Sequence, residues 1–222
     1  MKTEKRLPIV ILISIALILF LFLHQPTSAA GKFKVPPETY HKVKFVYDGD
    51  TVLLDSGEKV RLLGINSPEM NHNGEESEFK ARAAWRFTRE RVKGTQVRLE
   101  HDSEKQDHYG RLLAYVFLKN GEMLNELLVR EGLAHVMFYS KNLKYRALLL
   151  DSQRKAMKAK RGIWSRSIKG KEKFYLGNRN SFRFHGPDCH FGKRISKKNR
   201  VKIKTRRDAF WDGFSPCKQC CP

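Results

Sequence analysis

The sequence predicts a mainly β protein with intercalated helices, an α+β fold made of a five-stranded barrel, about three helices and a small C-terminal module. Three observations lead there. Five short runs between residues 43 and 118 show strand alternation or β-branched enrichment, and turn residues bound them. Longer stretches with helical spacing interrupt and follow these runs. The composition then changes after Trp164, and all four cysteines lie beyond that point.

Taken in order, Val43, Phe45 and Tyr47 alternate with polar residues, and residues 51–54 follow the tight turn Asp48-Gly49-Asp50. Ser56-Gly57 turns the chain into a third strand over 59–65. Residues 75–92 read as a helix stopped by Gly94. Residues 97–100 and 112–118 supply two more strands, Asn120-Gly121 turns, and helices follow over 123–131 and 143–160, the last ended by Gly162. Such a series is compatible with an OB-fold barrel over 41–164.

Residues 1–30 stand apart. Lys2, Lys5 and Arg6 precede an apolar run over 7–23, and Ser28-Ala29-Ala30 offers small residues for cleavage. This reads as an export signal, either cleaved or retained as an N-terminal anchor that touches the membrane, and it places the rest of the chain outside the cytoplasm, secreted or anchored facing outward. Residues 32–41, with Pro36-Pro37, read as a linker.

The 222 residues carry 44 Lys+Arg against 23 Asp+Glu, a formal charge of +21, so the expected partners are polyanions, with nucleic acid first among them. No protein partner is implied. A hydrophobic share of 41% is enough for a packed core and excludes a purely disordered basic chain.

Three segments carry chemistry: Asp48-Gly49-Asp50-Thr51, the run from Arg61 through Asn66-Ser67-Pro68-Glu69, and Asp107-His108-Tyr109-Gly110-Arg111. Cleaving a phosphodiester requires neutralising its charge, presenting a water and stabilising a pentacoordinate transition state. Asp50 is a candidate oxygen ligand for a hard cation such as Ca2+. Glu69 is a candidate general base, and Arg61 and Arg111 have the planar fork that matches two phosphate oxygens. Each residue alone reads as an ordinary turn or strand residue; the combination and spacing point to phosphoryl chemistry.

In order and spacing these segments resemble the active-site segments of the staphylococcal (micrococcal) nuclease family, over residues 43–164. The resemblance implies the OB-fold, with Asp50 a calcium ligand, Arg61 and Arg111 phosphate-binding catalytic arginines and Glu69 the general base. It implies a metal role for two further positions. Asn66 stands where the family has a second calcium-ligating aspartate, and its carbonyl oxygen brings no charge; Ser67 stands where a threonine contacts the metal through its backbone carbonyl. His108 and Tyr109 are candidates for contacting a terminal phosphate or a base, and Tyr139 for stacking on a base. Leu124-Asn125 and Gly132-Leu133-Ala134 resemble core packing segments of the same family.

Residues 165–222 hold 16 Lys+Arg and 4 Asp+Glu. After a linker over 165–173, a basic module over 174–222 presents His185-x3-Cys189 and Cys217-x2-Cys220, spacings from which one tetrahedral zinc site is built. It resembles the zinc-binding module of the bacterial alkylation-response methyltransferase, with His185 in place of a cysteine. Two disulfides are the alternative in an exported protein, and Cys221 is left over by the zinc scheme.

The resulting expectation is an exported, metal-dependent endonuclease acting on DNA and/or RNA, with Ca2+ in the OB domain and structural Zn2+ in the C-terminal module. A noncatalytic OB-fold nucleic-acid binder is the first alternative; Asn66 argues for it, and Asp50, Arg61, Glu69 and Arg111 argue against it. A membrane-anchored protein that binds anionic envelope polymers is the second.

Overall fold

The computed structural model describes residues 39–71, 76–139, 141–168 and 170–222. The export segment expected over 1–30 lies outside the described residues, as does the linker up to residue 38. The chain divides into Met1–Pro37 and Glu38–Pro222, and every described residue belongs to the second unit. No helix among the described residues is long and apolar enough to cross a membrane.

Five strands close a barrel in the order β1-β2-β3-β6-β5, as the sequence predicts. β1 (Tyr40–Val46) pairs antiparallel with β2 (Thr51–Leu54), which pairs antiparallel with β3 (Lys59–Leu62). β5 (Gln96–Glu100) and β6 (Leu112–Phe117) are antiparallel to each other; β6 runs parallel to β3 and β5 pairs back to β1. Alternate side chains such as Val43, Val52, Val60 and Val116 fill the interior and are fully buried.

Two expected elements change. The strand expected over 59–65 divides in two, because Gly64 at φ 75° bends the chain. Beyond it, β4 (Ile65–Asn66) leaves the barrel and pairs with β7 (His135–Val136). A Cβ at Gly64 would lie 2.7 Å from Leu149 Cδ1, so only glycine allows both the bend and the packing. The helix expected over 75–92 begins later, as α1 (Ala81–Val92). Lys80 holds a left-handed conformation at φ 71°, and Glu78 is engaged elsewhere: its N–H donates to Glu69 O at 3.2 Å and its Oε2 accepts from Glu69 N at 2.9 Å. That pairing outcompetes another helical turn.

α2 (Leu124–Arg130) and α3 (Arg146–Lys158) complete the barrel region, followed by a 3-10 turn at Gly162–Ser165. Asn125, fully buried on α2, accepts from Val116 N and donates to Leu63 O, both at 2.9 Å. It thereby satisfies two backbone groups inside the core, consistent with its reading as a packing residue.

After residue 170 comes a second sheet in the order β10-β8-β9-β11, with β8 (Tyr175–Asn178), β9 (Arg183–His185), β10 (Arg200–Ile203) and β11 (Ser215–Pro216). The short helix α4 (His190–Lys193) follows β9. α5 (Arg206–Trp211) is closed at its start by a capping box between Thr205 and Asp208.

The change of composition at residue 165 is no break in packing, because α3 serves both halves. Its Leu149 and Leu150 belong to the barrel core, while Ala156 and Met157 pack with Trp164, Tyr175, Phe184 and Phe210 in a second core. Between the two, buried Gln153 accepts from Val136 N at 2.7 Å and donates to Phe210 O. The two halves are therefore expected to unfold together in one thermal transition. Phe210→Ala should destabilise that transition by about 3–5 kcal/mol for near-UV signals from both cores, whereas separate transitions would show that the seam is not cooperative.

His135 packs edge to face on Phe210 at this seam, with ring centroids 5.4 Å apart, and burial pushes its pKa down to about 4, aided by the Arg183 and Arg61 charges and opposed by Asp50. A depressed folded-state value means that the protonated form is favoured by unfolding. The contribution of His135 to stability is therefore complete above its unfolded value of about 6.5 and is lost as pH falls toward 4. Denaturant titrations across that window should show this acid slope flatten in His135→Gln.

Candidate active site

The turn between β1 and β2 is wedged into place. A Cβ on Gly49 would lie 2.7 Å from Ser67 Cβ and 2.8 Å from Ala84 Cβ, and Thr88 Oγ1 on α1 donates to Gly49 O at 2.7 Å. Glycine therefore lets the turn touch both α1 and the loop after β4. Asp50 N donates to Asp48 Oδ1 at 2.8 Å, which closes the turn.

Asp50 is buried. Its Oδ2 accepts from Ser67 N at 2.6 Å and pairs with Arg61 Nη2 at 3.1 Å, and its Oδ1 accepts from Thr51 Oγ1 at 3.1 Å. The β2–β3 register, with Thr51 opposite Arg61, brings these charges together. Arg61 also donates to Leu62 O at 2.7 Å and to Asn66 Oδ1 at 3.0 Å, and Asn66 Nδ2 donates to Ser67 O at 3.2 Å. The Asn66 oxygen is thus turned to the guanidinium. Ser67 Oγ beside it is buried without a hydrogen-bond partner.

Asp48, half-buried next to this knot, has its pKa pushed up to about 7, first by burial and then by the Asp50 charge. Glu69 stands at the rim, and desolvation of its carboxyl followed by repulsion from Asp50 also raises it, against the pull of Arg61 and Lys218. The carboxyl groups of Asp48, Asp50 and Glu69 repel one another beside an unsatisfied hydroxyl, and all of these are hard oxygen donors of the kind a divalent cation takes.

Arg111 approaches from the loop before β6. Asp107 holds it through Nε at 2.8 Å and Nη2 at 2.7 Å, and the same carboxylate accepts from the Tyr109 and Arg111 backbone amides. Asp107 is a positioning residue for this arginine, its own pKa held down, against burial, by these donors. A cleft of ≈ 550 Å³ brings together Arg61, Asn66, Glu69, His108, Tyr109, Arg111 and Tyr139. Tyr109 is 73% exposed and its ring lies 3.8 Å from that of His108; Tyr139 is 48% exposed. Asp50 and Ser67 lie beneath the cleft, joined to it through Arg61.

Sequence reasoning missed two groups. Asp48 was legible as the first member of an Asp-x-Asp turn, but its burial was not. Lys218 lines the same cleft from the far end of the chain, and no local pattern signals it.

The C-terminal cluster is separate. His185, Cys189, Cys217 and Cys220 place one ligand atom each within 4.8 Å of one another, and all four cysteines are free thiols. β11 runs parallel to β9, and Cys217 N donates to Phe184 O at 2.9 Å, so pairing of these strands closes the cluster. A tetrahedral sulfur shell around zinc has edges of about 3.8 Å, from Zn–S bonds of ~2.3 Å. The donor set and its spread fit zinc. Burial pushes Cys220 up to about 12, and the neighbouring Cys189 and Cys217 raise it further, against the Gly186 amide. Cys221 is exposed, with its thiol near Lys218 O.

The family model for the staphylococcal nuclease homologue matches residues 59–166. A thermonuclease of Staphylococcus intermedius is 40% identical over 165 residues, which is 71% of this chain and 96% of that protein. The chain belongs to the staphylococcal nuclease family. Its relatives also include a thermonuclease of Staphylococcus hyicus, 39% identical over 63% of this chain and 83% of that protein. An endonuclease of Bacillus subtilis, YncB, is 35% identical over 54% of this chain and 59% of that protein. As a family member the chain is a nuclease, an enzyme that cleaves phosphodiester bonds.

The two arginines differ in a way that mutation will expose. Arg61 is the buried counterion of Asp50, so Arg61→Ala leaves an unpaired buried carboxylate and should cost about 3–5 kcal/mol of stability along with activity. Arg111 pairs with Asp107 nearer the surface, so Arg111→Ala should lower turnover by about 10^2- to 10^3-fold with little change in melting temperature. Calorimetry combined with initial rates on DNA checks both, and full turnover in either variant contradicts the assignment.

Proposed function

We propose that this nuclease is an exported, metal-dependent endonuclease that hydrolyses internal phosphodiester bonds of DNA and/or RNA. The observation that carries the reading is the single cleft into which Arg61, Glu69 and Arg111 project above the buried Asp50. Arg61 and Arg111 grip the non-bridging oxygens of the scissile phosphate, and their contacts strengthen as charge accumulates on phosphorus. Glu69, raised toward neutrality, accepts a proton from the attacking water as its oxygen bonds to phosphorus and the phosphorus–oxygen bond to the leaving nucleotide breaks. His108 and Tyr109 border the phosphate, and Tyr139 offers a face for a base.

Asp50 and the Ser67 carbonyl, with Asp48 close by, would hold Ca2+, which would supply charge neutralisation and orient water. Asn66 contributes by holding Arg61 and by its dipole rather than by a charge. His185, Cys189, Cys217 and Cys220 would hold Zn2+, which would staple the ends of β9 and β11 together. The positive n-region and apolar run at the start of the sequence support export, with secretion or outward-facing anchoring as the destination.

Plasmid DNA and a folded RNA, incubated with calcium and then with a calcium chelator, test the catalytic reading: cleavage should require the cation. Asn66→Asp should lower the calcium concentration for half-maximal activity, since it places a second anionic oxygen beside Asp50. No cleavage of either polymer would favour the noncatalytic binder. Metal analysis of the full chain should find about one zinc, with Cys189, Cys217 and Cys220 resistant to alkylation until zinc is removed; two disulfides and no zinc would reject that site alone.

A further inference from the structure

Lys218 lies in a place that nuclease chemistry in the barrel does not by itself require. It sits in the turn between Cys217 and Cys220 and lines the cleft that holds Arg61, Glu69 and Arg111. It also lines an adjoining depression of ≈ 440 Å³ on the C-terminal sheet, together with Arg183, Phe191 and Gln219. Lys218 is therefore the residue common to both, and the two depressions meet at its side chain.

The turn that carries Lys218 is anchored by hydrogen bonds of its flanking residues. Ser215 pairs with Arg183 in the β9–β11 register, and Cys221 N donates to Cys217 O at 3.0 Å across the turn. Arg183 donates to Ser215 Oγ at 2.7 Å and to Phe138 O at 3.1 Å, which ties the turn to the barrel segment that carries Tyr139. Cys217 and Cys220, both in the four-residue cluster, flank the lysine. Lys218 is exposed, and its charge reaches Glu69. Beyond it, Phe191 is 50% exposed in a shallow depression, a setting that suits an unstacked base.

We propose that Lys218 binds the phosphate adjacent to the one held by Arg61 and Arg111, and that a single-stranded segment of the substrate continues from there across the C-terminal sheet past Phe191. The module then extends the substrate site by at least one phosphate and one base instead of acting as a detached basic tail. This rests on the nuclease reading above. A lysine serves here because the flanking phosphate undergoes no chemistry: a point charge on a flexible stem is enough to hold it.

The test uses the full-length protein with Lys218→Ala, Lys218→Arg, Phe191→Ala and, as a control outside both depressions, Lys198→Ala. Affinity for a single-stranded oligonucleotide is measured by fluorescence anisotropy in calcium-free buffer over a range of salt. Lys218→Ala should bind about fourfold more weakly at about 0.15 M salt, with the log–log salt slope shallower by about 0.7. Lys218→Arg should restore both. Phe191→Ala should weaken binding while leaving the slope unchanged, because stacking releases no counterions. With calcium, KM on the long strand should rise in Lys218→Ala by a larger factor than KM on a dinucleotide containing one phosphodiester, which leaves the adjacent phosphate position empty. Unchanged affinity and slope in Lys218→Ala, or an equal effect from Lys198→Ala, would overturn the proposal even with the wild-type enzyme cutting normally. A wild-type protein that binds but never cuts would instead count against the nuclease reading, and the binding arms would still decide the role of Lys218.

Discussion

The buried pair of Asp50 and Arg61 is the constraint on which the site depends. Charges that far from water survive only when paired and hydrogen-bonded, and both are: Asp50 takes the Ser67 amide and the Thr51 hydroxyl, while Arg61 reaches Leu62 O and Asn66 Oδ1. Meeting these demands forces β2 and β3 into a register with Thr51 opposite Arg61, and it pulls the loop after β4 onto the β1–β2 turn. The cleft floor is therefore a by-product of satisfying one ion pair. A site assembled this way is preorganised, since the groups that would meet a phosphate are already held by groups that cannot let go without exposing a charge.

Asn66 acquires a clearer role in this setting. A carboxylate at that position would add a second anion beside Asp50 and compete for Arg61, whereas the amide accepts from Arg61 and donates to Ser67 O at once. The neutral residue trades anionic ligand charge for a guanidinium held on both sides. With Asp48 already raised to about 7 by burial and by Asp50, one more negative charge would be costly in the absence of a cation.

The C-terminal module is joined to the barrel by chemistry as well as by packing. α3 contributes to both cores, Gln153 hydrogen-bonds both halves, and Arg183 binds Phe138 O next to Tyr139. The Cys/His cluster sits at the end of this arrangement, where it sets the turn that carries Lys218. Charge excess in the last quarter of the chain thus becomes a placed cation in the cleft as well as a diffuse attraction for polyanions.

The sequence by itself determined the barrel strands, the three helices that follow or interrupt them, and the motifs that carry Asp50, Arg61, Glu69 and Arg111, because strand alternation, glycine turns and short motifs are local properties of the chain. The His185-x3-Cys189 and Cys217-x2-Cys220 pairs were legible for the same reason. Only the tertiary structure decided that the strand over 59–65 breaks at Gly64, where Leu149 packs, and that α1 starts at Ala81, where Glu78 turns back to Glu69. It also decided that Asn66 faces Arg61, that Asp48 is crowded enough to approach neutrality, and that the two Cys/His pairs converge through β9 and β11. Lys218 shows the difference most plainly: in sequence it lies between Cys217 and Cys220, in space it lines one cleft with Arg61, Glu69 and Arg111, and burial, electrostatic crowding and the pairing of distant strands are set by the folded chain as a whole.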